Sequence, residues 1–329
     1  MNRPTAPIER EPPATALDRR QLLAACAGGL AAAALGCDGQ DSKRLIGRVI
    51  GAPADVPPPS PVPGGGPALE LFVLGDAGLT TDAKRDVSRR MNAHAAVRPD
   101  AVLLLGDNFY FHGVSSTEDA LWKEQFEDAY TLDVPFYAVL GNHDHLGDTQ
   151  AQVDYSARSE RWRMPAQYYT FTRPIGPGAQ ASMFMLDTTE IVEGGGEALE
   201  QLRWLDEQLA TSRSRWKIVA GHHPVVSSGG HGPTRELART LRPLLERHGV
   251  DAYLSGHDHD LELLRTGAQW IQVVSGAGST TRNVRWSEET SFADARPGFV
   301  RLSVRPDELW VEFVAAADGP IFTERIAKA

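Results

Sequence analysis

Cysteine is scarce in this 329-residue chain, and both examples lie near one end. Cys26 and Cys37 are the two cysteines, so the sequence after residue 37 contains none. This excludes a disulfide framework and thiolate metal ligands from the body of the protein. A metal ion bound there must be held by His, Asp, Asn or Tyr side chains.

Positive charge is also in short supply. The chain has 43 acidic and 33 Lys or Arg residues, and its formal net charge at pH 7 is −10. Binding to nucleic acid requires a basic face or stripe. We therefore expect no nucleic-acid-binding surface.

No apolar stretch is long enough to cross a bilayer, which takes about 20 residues. The apolar run from Leu22 to Gly36 instead follows Arg19-Arg20, and this order is typical of an export signal of the twin-arginine type. Residues 34–37, ALGC, resemble a lipoprotein cleavage site that leaves Cys37 lipidated. Cys26 matches such a site letter by letter but leaves almost no apolar region before it. The sequence thus predicts an exported, periplasmic or cell-surface lipoprotein.

Three segments follow from this interpretation. Residues 1–37 form the signal peptide ending at the lipobox Cys37, and residues 38–67 form a tether. Residues 56–67, VPPPSPVPGGGP, are rich in proline and glycine and favour an extended linker. Residues 68–329 form the folded domain, which we expect to be monomeric and to meet the membrane only through its lipid anchor.

The folded domain alternates short apolar runs with segments of helical spacing. Runs such as AVLLL and WKIVA predict strands, and helices are predicted over 82–97, 118–130, 199–210 and 234–248. Beyond residue 260 the strands follow one another without long helices. The pattern predicts a mixed α/β fold with stacked sheets.

Five predicted strands end in the same way, with a glycine followed by polar side chains. The endings are GDAG (Asp76), GDNFY (Asp107, Tyr110), GNHDH (Asn142, His143), GHHP (His222, His223) and GHDH (His257, His259). Because ligands bind beyond the carboxyl ends of strands in α/β sheets, we expect these endings to meet. Oxygen and imidazole donors without sulfur suit iron, zinc or manganese. There are enough donors for two ions, and a coordinating Tyr110 would indicate a trivalent metal.

In this order, the five motifs resemble the calcineurin-like metallophosphoesterases, and within them the purple acid phosphatases of the tartrate-resistant type. The matching region runs from about Leu69 to Gly278 and includes HGPT at 231–234. The resemblance implies a four-layer αββα sandwich, with two stacked mixed sheets flanked by helices. It also implies a binuclear site that pairs Fe(III) with a divalent iron, zinc or manganese ion.

The resemblance implies a role for each motif residue. Asp76, Tyr110 and His259 would hold the ferric ion, Asn142, His222 and His257 would hold the divalent ion, and Asp107 would bridge them. His143 and His231 would bind the phosphate oxygens and help to protonate the leaving group. His223 would lie beside the ligands or at the rim, and His145 would either support the site or cap its loop.

The implied activity is the hydrolysis of phosphate monoesters by a metal-bound hydroxide, that is, an acid phosphatase with a phosphomonoester substrate. A phosphodiesterase of the same superfamily is one alternative. Those enzymes usually carry a histidine two residues after the first aspartate, where this chain has Gly78. The other alternative is a lipoprotein that binds metal or phosphate without turnover.

Overall fold

A computed structural model describes residues 47–53, 56–64, 66–94, 98–267 and 270–328. The predicted signal peptide and its lipidation site, Cys37, lie outside these ranges. None of the helices in the described ranges combines the length and apolar character that a bilayer crossing needs.

The strands in the described ranges account for most of the predicted apolar runs. In chain order they are β1 (Val49–Ile50), β2 (Leu69–Leu74), β3 (Ala101–Leu105), β4 (Phe136–Val139), β5 (Trp162–Arg163), β6 (Tyr169–Gly176), β7 (Ala179–Met185), β8 (Trp216–Ala220), β9 (Ala252–Ser255), β10 (Leu261–Arg265), β11 (Ile271–Ser275), β12 (Val284–Arg285), β13 (Thr290–Asp294), β14 (Gly298–Val304), β15 (Glu308–Ala315) and β16 (Gly319–Ala327).

The helices are shorter than the sequence pattern predicts in two places. They are α1 (Asp82–His94), α2 (Thr149–Asp154), α3 (Thr188–Glu193), α4 (Ala198–Thr211), α5 (Arg235–Thr240) and α6 (Arg242–Arg247). The segment predicted as one helix over 234–248 is thus two helices. Pro243 lies in the first turn of α6, where proline is tolerated but cannot continue a preceding helix. In the segment predicted over 118–130 the main element is a short π-helix, Trp122–Glu127.

Two seven-stranded mixed sheets form the centre of the molecule. The first sheet has the order β16-β15-β14-β2-β3-β4-β5, and the second has the order β13-β10-β11-β9-β8-β7-β6. Strands β2, β3 and β4 are parallel neighbours, as are β7, β8 and β9. The predicted sandwich of two mixed sheets with flanking helices is confirmed.

Apolar packing holds the layers together. One core cluster joins side chains of both sheets, such as Phe72 and Leu103 with Ile218 and Leu254. A second cluster joins the second sheet to helices α3 to α6. In α4, Leu205 and Leu209 are fully buried at a spacing of four residues, which places both on one face of the helix.

The short strand β1 extends the fold toward the N-terminus. It pairs in parallel with β12, so that Val49 lies opposite Val284 and Ile50 opposite Arg285. Strand β1 lies within residues 38–67, the segment that the sequence predicts to be a tether. Residues 47–50 therefore contact the segment that follows β11.

Candidate metal centre

The backbone turns sharply where the motif strands end. Asp76, Asp107 and His257 adopt positive φ values of 55°, 50° and 69°, in the left-handed region that side chains other than glycine rarely adopt. Such conformations cost of order 1–3 kcal/mol each and cluster at functional sites. Here they bring three predicted ligands from separate strands to one place.

Asp76, Tyr110 and His259 form a first donor set. The Tyr110 hydroxyl lies 3.1 Å from Asp76 Oδ1 and 3.2 Å from His259 Nε2, and Asp76 Oδ1 lies 3.4 Å from His259 Nε2. All three side chains are buried. These are the residues that the resemblance assigns to the ferric ion.

Asn142, His222 and His257 form a second donor set. His222 Nε2 lies 3.1 Å from Asn142 Oδ1 and 3.2 Å from His257 Nδ1. The other ring nitrogen of His222, Nδ1, donates to the carbonyl of Leu105 at 2.8 Å. That bond fixes the ring orientation and leaves Nε2 available as a ligand.

Asp107 touches the second donor set and influences the first. Its Oδ2 lies 3.5 Å from His222 Nε2, and Asp76, Asp107 and His222 offer ligand atoms that all lie within 4.8 Å of one another. Its negative charge is also one of the causes that raise the pKa of Tyr110. The structure thus places all seven predicted metal ligands in one cluster at the ends of both sheets.

The electrostatics of this cluster fit a bound cation. Burial and then the charges of Asp76 and Asp107 raise the pKa of Tyr110 well above its ordinary value. Burial and then the neighbouring imidazoles, His222 first, lower the pKa of His257. A multivalent cation would reverse the first effect, and it binds imidazole in the neutral form that the second effect favours. The donor set, oxygen and nitrogen without sulfur, suits a hard to borderline ion.

His143 lies at the open side of the cluster. Its Nδ1 lies 2.8 Å from the carbonyl oxygen of Phe111 and donates to it, and its Nε2 lies 4.0 Å from Asp107 Oδ2. Its backbone N–H donates to Asp107 Oδ1 at 2.9 Å. The ring therefore presents Nε2 toward the cluster, as the predicted phosphate contact requires.

His231 is the second predicted substrate contact, and it packs against the predicted ligand His257. Its ring centroid lies 4.4 Å from that of His257. Its Nε2 accepts a hydrogen bond from the guanidinium of Arg282. Burial and then the charge of Arg282 lower the pKa of His231 below its ordinary value.

Asp144 connects two of the loops that carry predicted ligands, a role that the sequence motifs did not predict. Its carboxylate is fully buried and accepts from the backbone N–H groups of Asn108, Phe109 and Gly141 at 2.8–3.2 Å. It thereby joins the GDNFY and GNHDH loops. Burial and the charge of Asp107 raise its pKa to about 6. The aspartate inside GNHDH was the available signal, but its side chain could not be placed without the loop geometry.

Asp258 has a similar role, because it connects the GHDH loop to the loop that carries His231. It is fully buried, and its carboxylate accepts from the backbone N–H of His231 at 2.7 Å, from that of Gly232 at 3.2 Å and from the hydroxyl of Ser227 at 2.5 Å. Asp258 therefore holds the loop that carries His231.

His223 and His145 lie beside the predicted ligands and bond to Thr188 and Asp187, which follow β7 of the second sheet. The His223 ring lies edge-on to that of His222, with ring centroids 5.0 Å apart, and bonds through Nδ1 to Thr188 Oγ1 at 3.1 Å. The same hydroxyl accepts from the backbone N–H groups of His222 and His223. His145 pairs with Asp187 at 2.8 Å, and although burial alone would lower its pKa, the hydrogen bond and charge of Asp187 raise it.

Comparison with known proteins agrees with this geometry. Residues 70–261 match the family described as calcineurin-like phosphoesterase. Tartrate-resistant acid phosphatase type 5 of Mus musculus is 35% identical over 292 residues, covering 78% of this chain and 89% of the mouse protein. Purple acid phosphatase 17 of Arabidopsis thaliana is 37% identical over 204 residues, covering 55% of this chain and 59% of the plant protein.

Solved structures share the fold. GAP50, the anchor in the inner membrane complex of Plasmodium, superposes with a TM-score of 0.74 at 24% identity, covering 80% of this chain and 90% of that one. Purple acid phosphatase PPD1 from yellow lupin gives a TM-score of 0.62 at 18% identity, covering 82% of this chain and 55% of that one. At these identities the likeness concerns the fold alone.

The chain belongs to the calcineurin-like phosphoesterase family. Its curated relatives are acid phosphatases of the tartrate-resistant and purple types. The predicted resemblance is therefore confirmed. With the cluster of Asp76, Asp107 and His222, the family identifies the chain as a metal-dependent phosphatase.

Proposed function

We propose that the chain hydrolyses phosphate monoesters at a binuclear centre containing Fe(III) and a divalent iron, zinc or manganese ion. One observation carries this proposal: two separate donor sets meet at Asp107. The sets centre on the Tyr110 hydroxyl and on His222 Nε2, with contacts of 3.1–3.4 Å inside each set.

Asp76, Tyr110 and His259 would hold the ferric ion, while Asn142, His222 and His257 would hold the divalent ion. Asp107 would contact both. When bound, such ions supply Lewis-acid charge to the phosphoryl oxygens and lower the pKa of a water molecule that can act as nucleophile.

The two histidines differ in the chemistry that their contacts allow. His143 donates from Nδ1 to the Phe111 carbonyl, so when the ring carries a proton on both nitrogens its Nε2–H can donate to a phosphoryl oxygen or give that proton to the leaving group. His231 accepts from Arg282 at Nε2. We therefore assign proton donation to His143 and phosphate positioning to His231.

The position of Gly78 favours a monoesterase over the diesterase alternative. A Cβ atom at this glycine would lie 2.7 Å from the backbone nitrogens of Phe109 and Tyr110. The loop that carries Tyr110 therefore packs where a longer side chain would stand. The histidine that diesterases of the superfamily usually carry at this position cannot be accommodated here.

Chromogenic substrates test the proposal. We expect p-nitrophenyl phosphate to be hydrolysed with a kcat/KM at least a hundredfold above that of bis(p-nitrophenyl) phosphate. His143→Ala should lower kcat for the monoester by 10²- to 10⁴-fold, the range typical of a lost general acid. Faster hydrolysis of the diester would favour the phosphodiesterase. Full metal content without hydrolysis of either ester would favour the non-catalytic lipoprotein.

We further propose that the protein is exported through the twin-arginine pathway and anchored by a lipid on Cys37. The support is the order of Arg19-Arg20, the apolar run and the ALGC sequence. Metabolic labelling with radioactive palmitate should label the wild type in the membrane fraction. Cys37→Ala should abolish the label, whereas Cys26→Ala should leave it. Label that survives Cys37→Ala would contradict the anchor.

A further inference from the structure

Arg282 is a charged side chain that the phosphatase mechanism described above leaves without a role. Its guanidinium is exposed at the rim of the cluster and donates to His231 Nε2. Among the described residues Arg282 forms no ion pair with a carboxylate. An arginine without an acidic partner, next to a predicted phosphate contact, is available to an anionic ligand.

The loop before Arg282 is bound to the metal-ligand segments. Thr280 Oγ1 lies 2.6 Å from His259 Nδ1, and the backbone N–H of Arg282 donates to the carbonyl of His259 at 2.9 Å. The hydroxyl of Ser279 donates to the carbonyl of Asp76. The main chain at Arg282 is therefore fixed relative to the predicted ligands.

The other side of the loop is held by the segment around β1. The backbone N–H of Gly47 donates to Thr281 Oγ1 at 3.0 Å, and that of Arg48 donates to Asn283 Oδ1 at 2.8 Å. A Cβ atom on Gly47 would lie 1.9 Å from the carbonyl oxygen of Arg282. Only glycine allows this approach, so the chain clamps the main chain of Arg282 from both sides.

The position of the guanidinium indicates which anionic group it meets. His231 contacts both Arg282 and the ligand His257, so Arg282 lies one side chain farther out than the ligands. A guanidinium has five N–H donors in a planar fork that matches phosphate and carboxylate oxygens. With one N–H bonded to His231, the remaining donors can bind a group attached to the phosphoryl group at the metals.

We propose that Arg282 binds a second phosphate group of the substrate, adjacent to the phosphoryl group that is hydrolysed. The enzyme would then select diphosphates over esters whose leaving group is uncharged. This inference rests on the proposed function, because the phosphoryl group must lie at the cluster for Arg282 to reach its neighbour.

Steady-state kinetics with inorganic diphosphate and p-nitrophenyl phosphate test the assignment. In Arg282→Ala, the fold-increase of KM for diphosphate should be about ten times the fold-increase of KM for p-nitrophenyl phosphate. Arg282→Lys should restore part of this difference. Arg285→Ala is the matched control, since Arg285 is an exposed arginine three residues farther along the chain, in β12. It should leave the ratio of the two KM values as in the wild type.

Calorimetry separates this inference from the proposed function. Arg282→Ala should weaken binding of imidodiphosphate about tenfold more than binding of inorganic phosphate, in a protein carrying its metals. This readout needs no turnover, so it stands even if the wild type hydrolyses no ester. An equal loss for both anions would place Arg282 on the hydrolysed group and overturn the assignment, as would no loss for either.

Discussion

The two sheets contribute different chemistry to the same site. The ends of β2, β3 and β4 in the first sheet supply oxygen donors, whereas the ends of β8 and β9 in the second sheet supply imidazoles. The oxygen donors are Asp76, Asp107, Tyr110 and Asn142, and the imidazoles are His222, His257 and His259.

This division means that neither sheet can complete a metal site alone. Each donor set takes members from both sheets, as in the contact between Tyr110 and His259 and that between Asn142 and His222. The packing of the two sheets against each other therefore decides the geometry of the site. Substitutions in the oxygen-donor half and the imidazole half should fail in different, measurable ways.

The largest expected difference is between Asp107→Ala and His222→Ala. Asp107 is the one ligand assigned to both ions, so its removal should reduce metal content by about two ions per chain and activity by at least 10³-fold. His222 is assigned to the divalent ion alone, so His222→Ala should lose one ion and most activity. Metal analysis by mass spectrometry and p-nitrophenyl phosphate turnover check both variants. Full metal content with near wild-type turnover in His222→Ala would contradict the assignment.

The buried carboxylates Asp144 and Asp258 provide a matched pair, one for each half. Asp144 accepts from three backbone N–H groups of two loops. In Asp144→Asn an amide group would face some of these donors, so the free energy of unfolding should fall by about 2–4 kcal/mol. Urea unfolding measures this loss. A change below about 0.5 kcal/mol would mean that the two loops do not depend on this carboxylate.

Asp258→Asn should affect substrate binding as well as stability. Asp258 holds the backbone of the His231 loop, which carries a predicted phosphate contact rather than a metal ligand. We expect about a tenfold rise in KM for p-nitrophenyl phosphate with unchanged metal content. Loss of an ion in this variant would show that the loop also supports the ligands of the second sheet.

The smallest expected effect concerns Lys84 in α1, which follows the first ligand loop. Lys84 is buried, and desolvation lowers its pKa from 10.5 to about 7 although the charge of Glu124 opposes this. Between pH 7 and about 10 the unfolded chain binds the proton that the folded chain has lost, so stability rises with pH. Below pH 7 the folded chain also binds the proton, and this contribution no longer varies.

Lys84→Met removes this titration. The stability of the wild type should therefore rise relative to that of the variant by about 1 kcal/mol per pH unit between pH 7 and 9. Urea unfolding at several pH values measures the difference. Lys123→Met, which removes an exposed lysine of a surface ion pair and keeps Lys84, should retain the rise seen in the wild type. Parallel profiles of wild type and Lys84→Met would contradict the lowered pKa.

Much of the fold and site could be predicted because strand endings have a simple rule. An apolar run, a glycine and a polar group predicted every ligand loop, and the structure brings all of these loops together. The division of the predicted ligands, with oxygen donors from one sheet and imidazoles from the other, could not be predicted. It depends on strand pairing between segments that are distant in sequence. Asp144 and Asp258 were missed as loop anchors for a related reason: they bind backbone groups whose positions follow from turns that sequence spacing does not define.

The pairing of β1 with β12 was equally beyond the sequence. The ladder has two residues in each strand, too short for a periodic signal, and it joins segments more than 230 residues apart. The proline and glycine residues between β1 and β2 predict an extended linker. They give no information about the pairing of β1, which precedes them. The contact of Gly47 with Arg282 therefore emerges only from the three-dimensional structure.

The most direct test of the central claim is a visible absorption spectrum of the purified protein, with metal analysis of the same sample. We expect about two metal ions per chain, one of them iron, and a purple or pink charge-transfer band from the Tyr110 phenolate on Fe(III). Tyr110→Phe should lose this band. A colourless wild type with two zinc or manganese ions would contradict the assignment of Tyr110 as a ligand of Fe(III). It would favour the phosphodiesterase alternative.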